Sequence, residues 1–201
     1  MITDFDGVIY RGASMSDFFT FLYENNAIPT SVIKKLITFS NIYRQDMYSA
    51  LESWTNVCAE SLRHWDVGRV REYVEHFWKE NKKKIDPWTT CVLYTFGGVI
   101  ISATFQEILD GFASMFNKKI DVIGTLLEVK DNRYTGKILR SLYTPGAKAR
   151  YVIPYAGAMC IGMGDTLHDL GILLATGIPI AVRPDEGLMK YAIRNRWKIW
   201  K

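Results

Sequence analysis

The sequence predicts an α/β protein, a doubly wound and mainly parallel sheet with a helical cap inserted after the first strand. Three observations carry this. Short apolar runs alternate with helical stretches through the second half of the chain, the order that builds parallel sheets. Residues 14–84 hold amphipathic helical patterns and no convincing strand. The polar residues with chemical potential fall at the carboxyl ends of the apolar runs, where such sheets collect their ligands. The expected division is a core of residues 1–13 and 85–201 and a helical insert of residues 14–84.

The elements follow in order. Met1 to Asp4 is the first strand, and its shortness points to a start further upstream. In Ser16-Asp-Phe-Phe-Thr-Phe-Leu-Tyr23 the aromatic residues share one helical face. Residues 29–42 carry Val32, Ile33, Leu36, Ile37 and Phe39 at helical spacing, and residues 48–62 and 67–82 supply two more helices. Asp86-Pro87 reads as an N-cap followed by proline in the first turn, and Gly97-Gly98 as the stop. Val99 to Ala103 is the second strand, residues 105–116 a helix, and Ile120 to Gly124 the third strand. Residues 126–138 resemble a hairpin that turns at Asp131-Asn132. Ala158 to Gly162 and Pro179 to Val182 are the fourth and fifth strands, and residues 188–196 close the chain as a helix.

Composition bounds the function. The 201 residues are 48% apolar and 23% charged, which suits a globular protein with a sizeable core. A net charge of +4 is compatible with an anionic substrate. The basic run Lys79-Glu-Asn-Lys-Lys-Lys84 reads as a solvated helix end, so no nucleic-acid partner is expected. Three scattered cysteines, Cys58, Cys91 and Cys160, suggest a reducing compartment. No apolar run reaches the ~18 residues that cross a bilayer, and no signal peptide fits ahead of Asp4. The expectation is a cytoplasmic protein with no membrane partner.

Four stretches carry chemistry. Asp4-Phe-Asp6-Gly7-Val8 places two carboxylates at the end of a buried strand, one able to attack phosphorus and the other able to move a proton, and the glycine lets the chain turn sharply. Ser102, with the amide of Ala103, ends the second strand and offers donors to a phosphoryl oxygen; a helix N-cap is the plainer reading of that serine. Lys148, in Pro145-Gly-Ala-Lys-Ala149, is a compact cation suited to a transferring phosphoryl group. Gly162-Met-Gly-Asp165-Thr-Leu-His-Asp169 follows the fourth strand and spaces two carboxylates by four residues. Asp4 and Asp165, with the backbone carbonyl of Asp6, make an oxygen set that suits Mg²⁺, whereas the plainer reading of Asp165 and Asp169 is an acidic helix N-terminus. His168 is expected to be a bystander beside an all-oxygen site. A calcium loop beginning at Asp4 needs an acid at its twelfth position, and Met15 stands there.

These four pieces, in this order, resemble the haloacid dehalogenase superfamily of phosphatases. Residues 122–128, Tyr134-Thr-Gly-Lys-Ile138 and the ending Ala181-Val-Arg-Pro-Asp-Glu-Gly-Leu188 are similar to its phosphoserine-phosphatase-like subgroup. The resemblance implies a Rossmann-like core, a helical cap, and Mg²⁺-dependent hydrolysis of a small phosphorylated metabolite. Asp4 would form an aspartyl-phosphate and Asp6 would serve as acid and then base. Ser102, Ala103 and Lys148 would hold the phosphoryl oxygens. Asp4, Asp6 and Asp165 would bind the metal, with Asp169 behind them. Arg44 is a candidate contact from the cap. Transfer to another acceptor, or phospho-ligand binding without catalysis, are the alternatives.

The chain departs from that subgroup at two places. Ala13 stands where phosphoserine phosphatases carry a glutamate that reads the substrate amine. Ser102-Ala-Thr104 replaces their Ser-Gly-Gly. Phosphoserine is therefore not the expected substrate. Aromatic residues of the insert that face the site, from Phe18, Phe19, Phe21, Tyr23 and Trp54, would favour a less polar leaving group.

Overall fold

The computed structural model describes residues 1–42, 47–116, 120–143 and 146–201. Among these, seven strands form one sheet in the order β4-β3-β2-β1-β5-β6-β7. They are β1 (Ile2–Thr3), β2 (Val99–Phe105), β3 (Asp121–Lys130), β4 (Arg133–Arg140), β5 (Gly157–Gly164), β6 (Thr176–Val182) and β7 (Lys198–Trp200). All neighbours run parallel except β3 and β4. Short as it is, β1 sits at the centre: Ile2 is in register with Val99 on one side and Gly162 on the other. The chain winds outward from β1 in both directions, so the switch point lies between β1 and β5.

The strands have a period of two, and both faces of the sheet are buried. Ile2, Val99 and Ile101 pack with Leu142, Val152 and Ile172 in one cluster. Ile100 and Phe105 join a larger cluster on the opposite face. Helix α5 (Pro87–Phe96) begins as the sequence predicts: the Asp86 carboxylate accepts from the Thr89 amide at 2.9 Å, and Gly97 closes the helix at φ +67°.

Four helices intervene between β1 and α5: α1 (Ser14–Glu24), α2 (Thr30–Ile42), α3 (Met47–Ser61) and α4 (Val67–Asn81). Their apolar faces are not sealed off from the sheet. Phe18, Phe19 and Phe77 share one cluster with Phe5, Tyr10 and Phe105. The ring of Phe5 meets those of Trp78 and Phe112 edge-on, at centroid distances of 5.9 and 4.9 Å. The Trp78 indole N–H donates to the carbonyl of Ile108, on α6 (Gln106–Ser114), at 2.9 Å. The hairpin ties down the other end. Tyr134 exchanges backbone hydrogen bonds with His64 and Trp65 at 2.8 and 3.0 Å, and Asn132 donates to Asp66 at 2.7 Å.

Several sequence expectations shift. The third strand and the first arm of the hairpin are one continuous strand, β3, because the sheet pairing with β2 runs straight into pairing with β4. The helix at 105–116 starts one residue later, since Phe105 still belongs to β2. The closing helix is α9 (Glu186–Arg194), capped by Asp185, and starts before Leu188. Strand β7 follows it and was not foreseen. Its Trp200 ring stacks on Trp88 of α5 with centroids 3.9 Å apart. The basic run ends α4 in an exposed turn, where Lys84 reaches Asp17 at 2.8 Å.

Candidate active site

The carboxyl ends of β1, β2 and β5 converge at the switch point. Asp4 continues the β1 pairing, its amide donating to the Met163 carbonyl at 3.0 Å. Its carboxylate accepts from the Phe5 amide at 2.7 Å. The chain then turns away at Gly7, where φ is +73°. A Cβ there would lie 1.8 Å from the Asp165 carboxylate, so this close approach requires glycine. Gly164 does the same for Asp169, whose Cβ would lie 2.3 Å from an added one.

Lys148 is buried between two carboxylates. Its Nζ lies 2.9 Å from Asp4 and 2.7 Å from Asp169. It precedes the short helix α7 (Ala149–Val152), and α8 (Leu170–Leu174) follows Asp169. Asp169 also accepts from the amides of Asp165 and Thr166 at 3.1 and 3.2 Å. It therefore caps its helical turn and fixes the lysine together, so the acidic-terminus reading describes only one of its contacts. Asp4, Asp165 and Asp169 offer carboxylate oxygens within 4.8 Å of one another. His168 is not one of the three.

Burial and mutual repulsion set the electrostatics. Burial pushes Asp4 up to about 7, the Asp169 charge adds to this, and Lys148 opposes it. Burial, then the charges of Asp4 and Asp169, pushes Asp165 up to about 9. Asp169 moves the other way. Burial disfavours its charge, but Lys148 and the two amides outweigh this and hold it below the usual carboxylate range. Burial likewise opposes the charge of Lys148, and its two carboxylate partners overcome it, raising the lysine above its ordinary value. Asp169 is thus committed to Lys148, whereas Asp4 and Asp165 are held together against repulsion. An all-oxygen set of this kind fits a hard divalent cation.

Asp6 sits apart from that cluster. Its two oxygens accept from the Ser14 amide at 2.8 Å and the Thr104 hydroxyl at 2.7 Å. Burial raises its pKa against these hydrogen bonds. Ser102 is buried, and its hydroxyl accepts from the Thr104 amide at 3.3 Å. It is not the N-cap of α6, a position taken by Phe105. Asp6, Ala103 and Thr104 line one side of a cavity of about 300 Å³, and Trp54 lines the other. Phe18, Phe19 and Phe21 are core residues instead.

Thr104 and Arg183 escaped the sequence reading. Thr104 carried a signal: two residues beyond Ser102 on a strand, it faces the same side. Arg183 follows β6, in the left-handed region at φ +41°. Its guanidinium donates to the Gly7 carbonyl at 2.9 Å, to the Val8 carbonyl at 2.6 Å and to Asp86 at 2.9 Å. Nothing in its spacing announces that it braces the turn after Asp4. Arg44, the candidate cap contact, lies outside the described residues.

Known structures share this fold. A protein of unknown function from Bordetella pertussis Tohama I has a similar structure, with a TM-score of 0.82 at 18% identity over 100% of this chain and 96% of that one. A phospho-aspartyl intermediate analogue of phosphoserine phosphatase matches with a TM-score of 0.60 at 15% identity, over 98% of this chain and 90% of its own. Cytosolic 5'-nucleotidase IIIB bound to cytidine matches with a TM-score of 0.65 at 14% identity, over 97% and 75%. At these identities the likeness is one of fold. No curated protein matches the chain in sequence. The family model of haloacid dehalogenase-like hydrolases matches residues 1–174, most of the chain, and the protein belongs to that family.

Proposed function

We propose that this chain is a Mg²⁺-dependent phosphatase that hydrolyses a small phosphomonoester through an aspartyl-phosphate. The observation that carries the reading is Lys148, whose buried ammonium is shared between Asp4 and Asp169 while Asp165 stands beside them. A phosphatase has to bring one nucleophile, one cation and one metal-ready carboxylate to a single point. The phospho-aspartyl analogue among the solved neighbours supports the same reading.

In the first step a carboxylate oxygen of Asp4 attacks phosphorus and the ester P–O bond breaks. The departing oxygen takes its proton from Asp6, whose raised pKa favours the protonated form needed for this. In the second step Asp6 removes a proton from water, the water oxygen attacks phosphorus, and the P–O bond to Asp4 breaks. Inorganic phosphate leaves and Asp4 regains its carboxylate. Lys148 neutralises charge on the phosphoryl oxygens, with Ser102 and the Ala103 amide as further donors. Asp4, Asp165 and the Asp6 carbonyl would hold Mg²⁺, which when bound withdraws charge from a phosphoryl oxygen. Asp169 positions Lys148. In this reading residues 14–84 form a cap over a core of 1–13 and 85–201, and three unpaired cysteines fit a cytoplasmic setting.

The test is phosphate release from a phosphomonoester panel, with Mg²⁺ or with chelator, for the native protein and Asp4→Asn. Release that needs both Mg²⁺ and Asp4 is the expected result. Equal release by Asp4→Asn, or none from any ester by folded protein with Mg²⁺, overturns the reading.

A further inference from the structure

We infer that the leaving-group side of this site takes an uncharged, apolar group about the size of one ring. The inference rests on the phosphatase reading and names its substrate class. The cavity of about 300 Å³ opens against Asp6, Ala103 and Thr104, while Asp4, Lys148 and Asp165 do not line it. It therefore lies on the proton-donor side of the phosphoryl position, where the departing oxygen carries its substituent. Its volume is roughly twice the ~150 Å³ that holds a benzene ring in a protein core.

Apart from Asp6, the described walls carry no charge. Met15, Leu51, Trp54 and Ala50 supply apolar surface. Two of the polar walls are already spent, the Thr55 hydroxyl on the Leu51 carbonyl at 2.6 Å and the Thr104 hydroxyl on Asp6. Ser16 and Tyr143 add only uncharged hydroxyls, and Ala13 carries no polar side-chain atom. Among the described lining residues the one charged group is Asp6, which already takes two hydrogen bonds and is needed for proton transfer. Among the described residues a carboxylate on the leaving group would find no opposite charge in this space, and an ammonium would find only Asp6, whose pairing with it would compete with proton transfer to the leaving oxygen. An apolar ring would be covered by Trp54 and Leu51 and would lose nothing.

The experiment compares kcat/KM for cyclohexyl phosphate, phosphoethanolamine and O-phosphoserine, all alkyl esters; the ammonium makes the two charged alcohols the better leaving groups, so intrinsic reactivity works against the expected ranking. An aryl phosphate serves as the reactive control. Equilibrium binding of the same three esters to Asp4→Asn supplies a readout that needs no turnover. The expected result is a preference for the cyclohexyl ester of about tenfold or more in both measurements. Ala13→Glu, at an exposed position on the cavity wall, should cut that preference by about tenfold in favour of phosphoethanolamine. Equal or better use of either charged ester, or a ratio unmoved by Ala13→Glu, overturns the inference and leaves the phosphatase reading standing. Failure to hydrolyse even the aryl phosphate overturns the phosphatase reading instead, and the binding ratio then decides the inference by itself.

Discussion

Arg183 grips Asp86 at 2.9 Å while the rest of its guanidinium reaches the carbonyls of Gly7 and Val8. One side chain thus joins the end of β6 to the start of α5 and to the turn that follows Asp4 and Asp6. Asp86 is buried and also pairs with Arg11 at 2.8 Å.

Arg183→Met should therefore cost about 2–4 kcal/mol in denaturant unfolding, with a fall in kcat larger than any change in KM. Burial opposes the charge of Asp86, but the Thr89 amide and the two arginines outweigh it and lower its pKa. A lowered carboxylate contributes stability above its ordinary range near pH 4, and this is lost as the pH falls through the folded-state value. The gap between native protein and Arg183→Met should narrow on acidification below about pH 4, read as unfolding midpoints across pH.

The metal-ready carboxylates carry the opposite sign. Asp4 and Asp165 are raised to about 7 and about 9, so the folded chain binds their protons more tightly than the unfolded chain. Their contribution is most favourable below about pH 4 and is lost as the pH rises toward those values. In chelator, thermal stability should decline from pH 5 to pH 9. Mg²⁺ should restore it, most strongly at the alkaline end, because the cation supplies the missing positive charge. Calorimetry with and without Mg²⁺ checks both, and a Tm rising with pH in chelator contradicts the assignment.

Gly7→Ala is predicted to be severe for a substitution of one methyl group. It forces a side chain to φ +73° and drives its Cβ into the Asp165 carboxylate. About 2–4 kcal/mol of stability should be lost, together with Mg²⁺-dependent phosphate release. Isothermal titration with Mg²⁺ should show weakened binding in the variant.

Thr104→Val removes the hydroxyl that Asp6 accepts from at 2.7 Å. That hydrogen bond lowers the Asp6 pKa, so its loss should move the limb of the kcat–pH profile set by Asp6 to higher pH. Turnover should fall about tenfold or more. Thr104→Ser should return both toward native values, which a purely structural role for the threonine would not produce.

Much of this was legible because it was local. Periodicity gave the strand–helix alternation, and cap chemistry gave the ends of α5. The order of the four motifs, through the family they resemble, made Asp4, Lys148 and Asp169 meaningful as a set. What escaped depends on long-range packing. Three residues at 198–200 are too few to carry a period, and β7 exists because Trp88 covers Trp200 and β6 offers an edge. Arg183 is polar, follows a strand and sits before a proline, so sequence alone reads it as a loop. Only the fold carries the Gly7 and Val8 carbonyls to it. Ser102 looked like a helix cap because the strand ran past its apparent end.

The aromatic contact of Phe5 with Trp78 and Phe112 has a bearing on how this chain could be recombined with its relatives. The insert is not a module with a surface of its own. Helices α1 and α4 share one core with the turn that follows β1, through Phe5 and Tyr10, and with β2 and α6. A chimera exchanged at residues 14 and 84 would bring foreign knobs to native holes, above all where Gly111 leaves room for Val74. Helix α3 carries Trp54 and Leu51 to the cavity, yet its Cys58 and Ala59 lie in that same shared core. In this chain the residues that line the cavity and those that hold the fold alternate along the same helices, so the site is altered residue by residue, not by exchanging a segment.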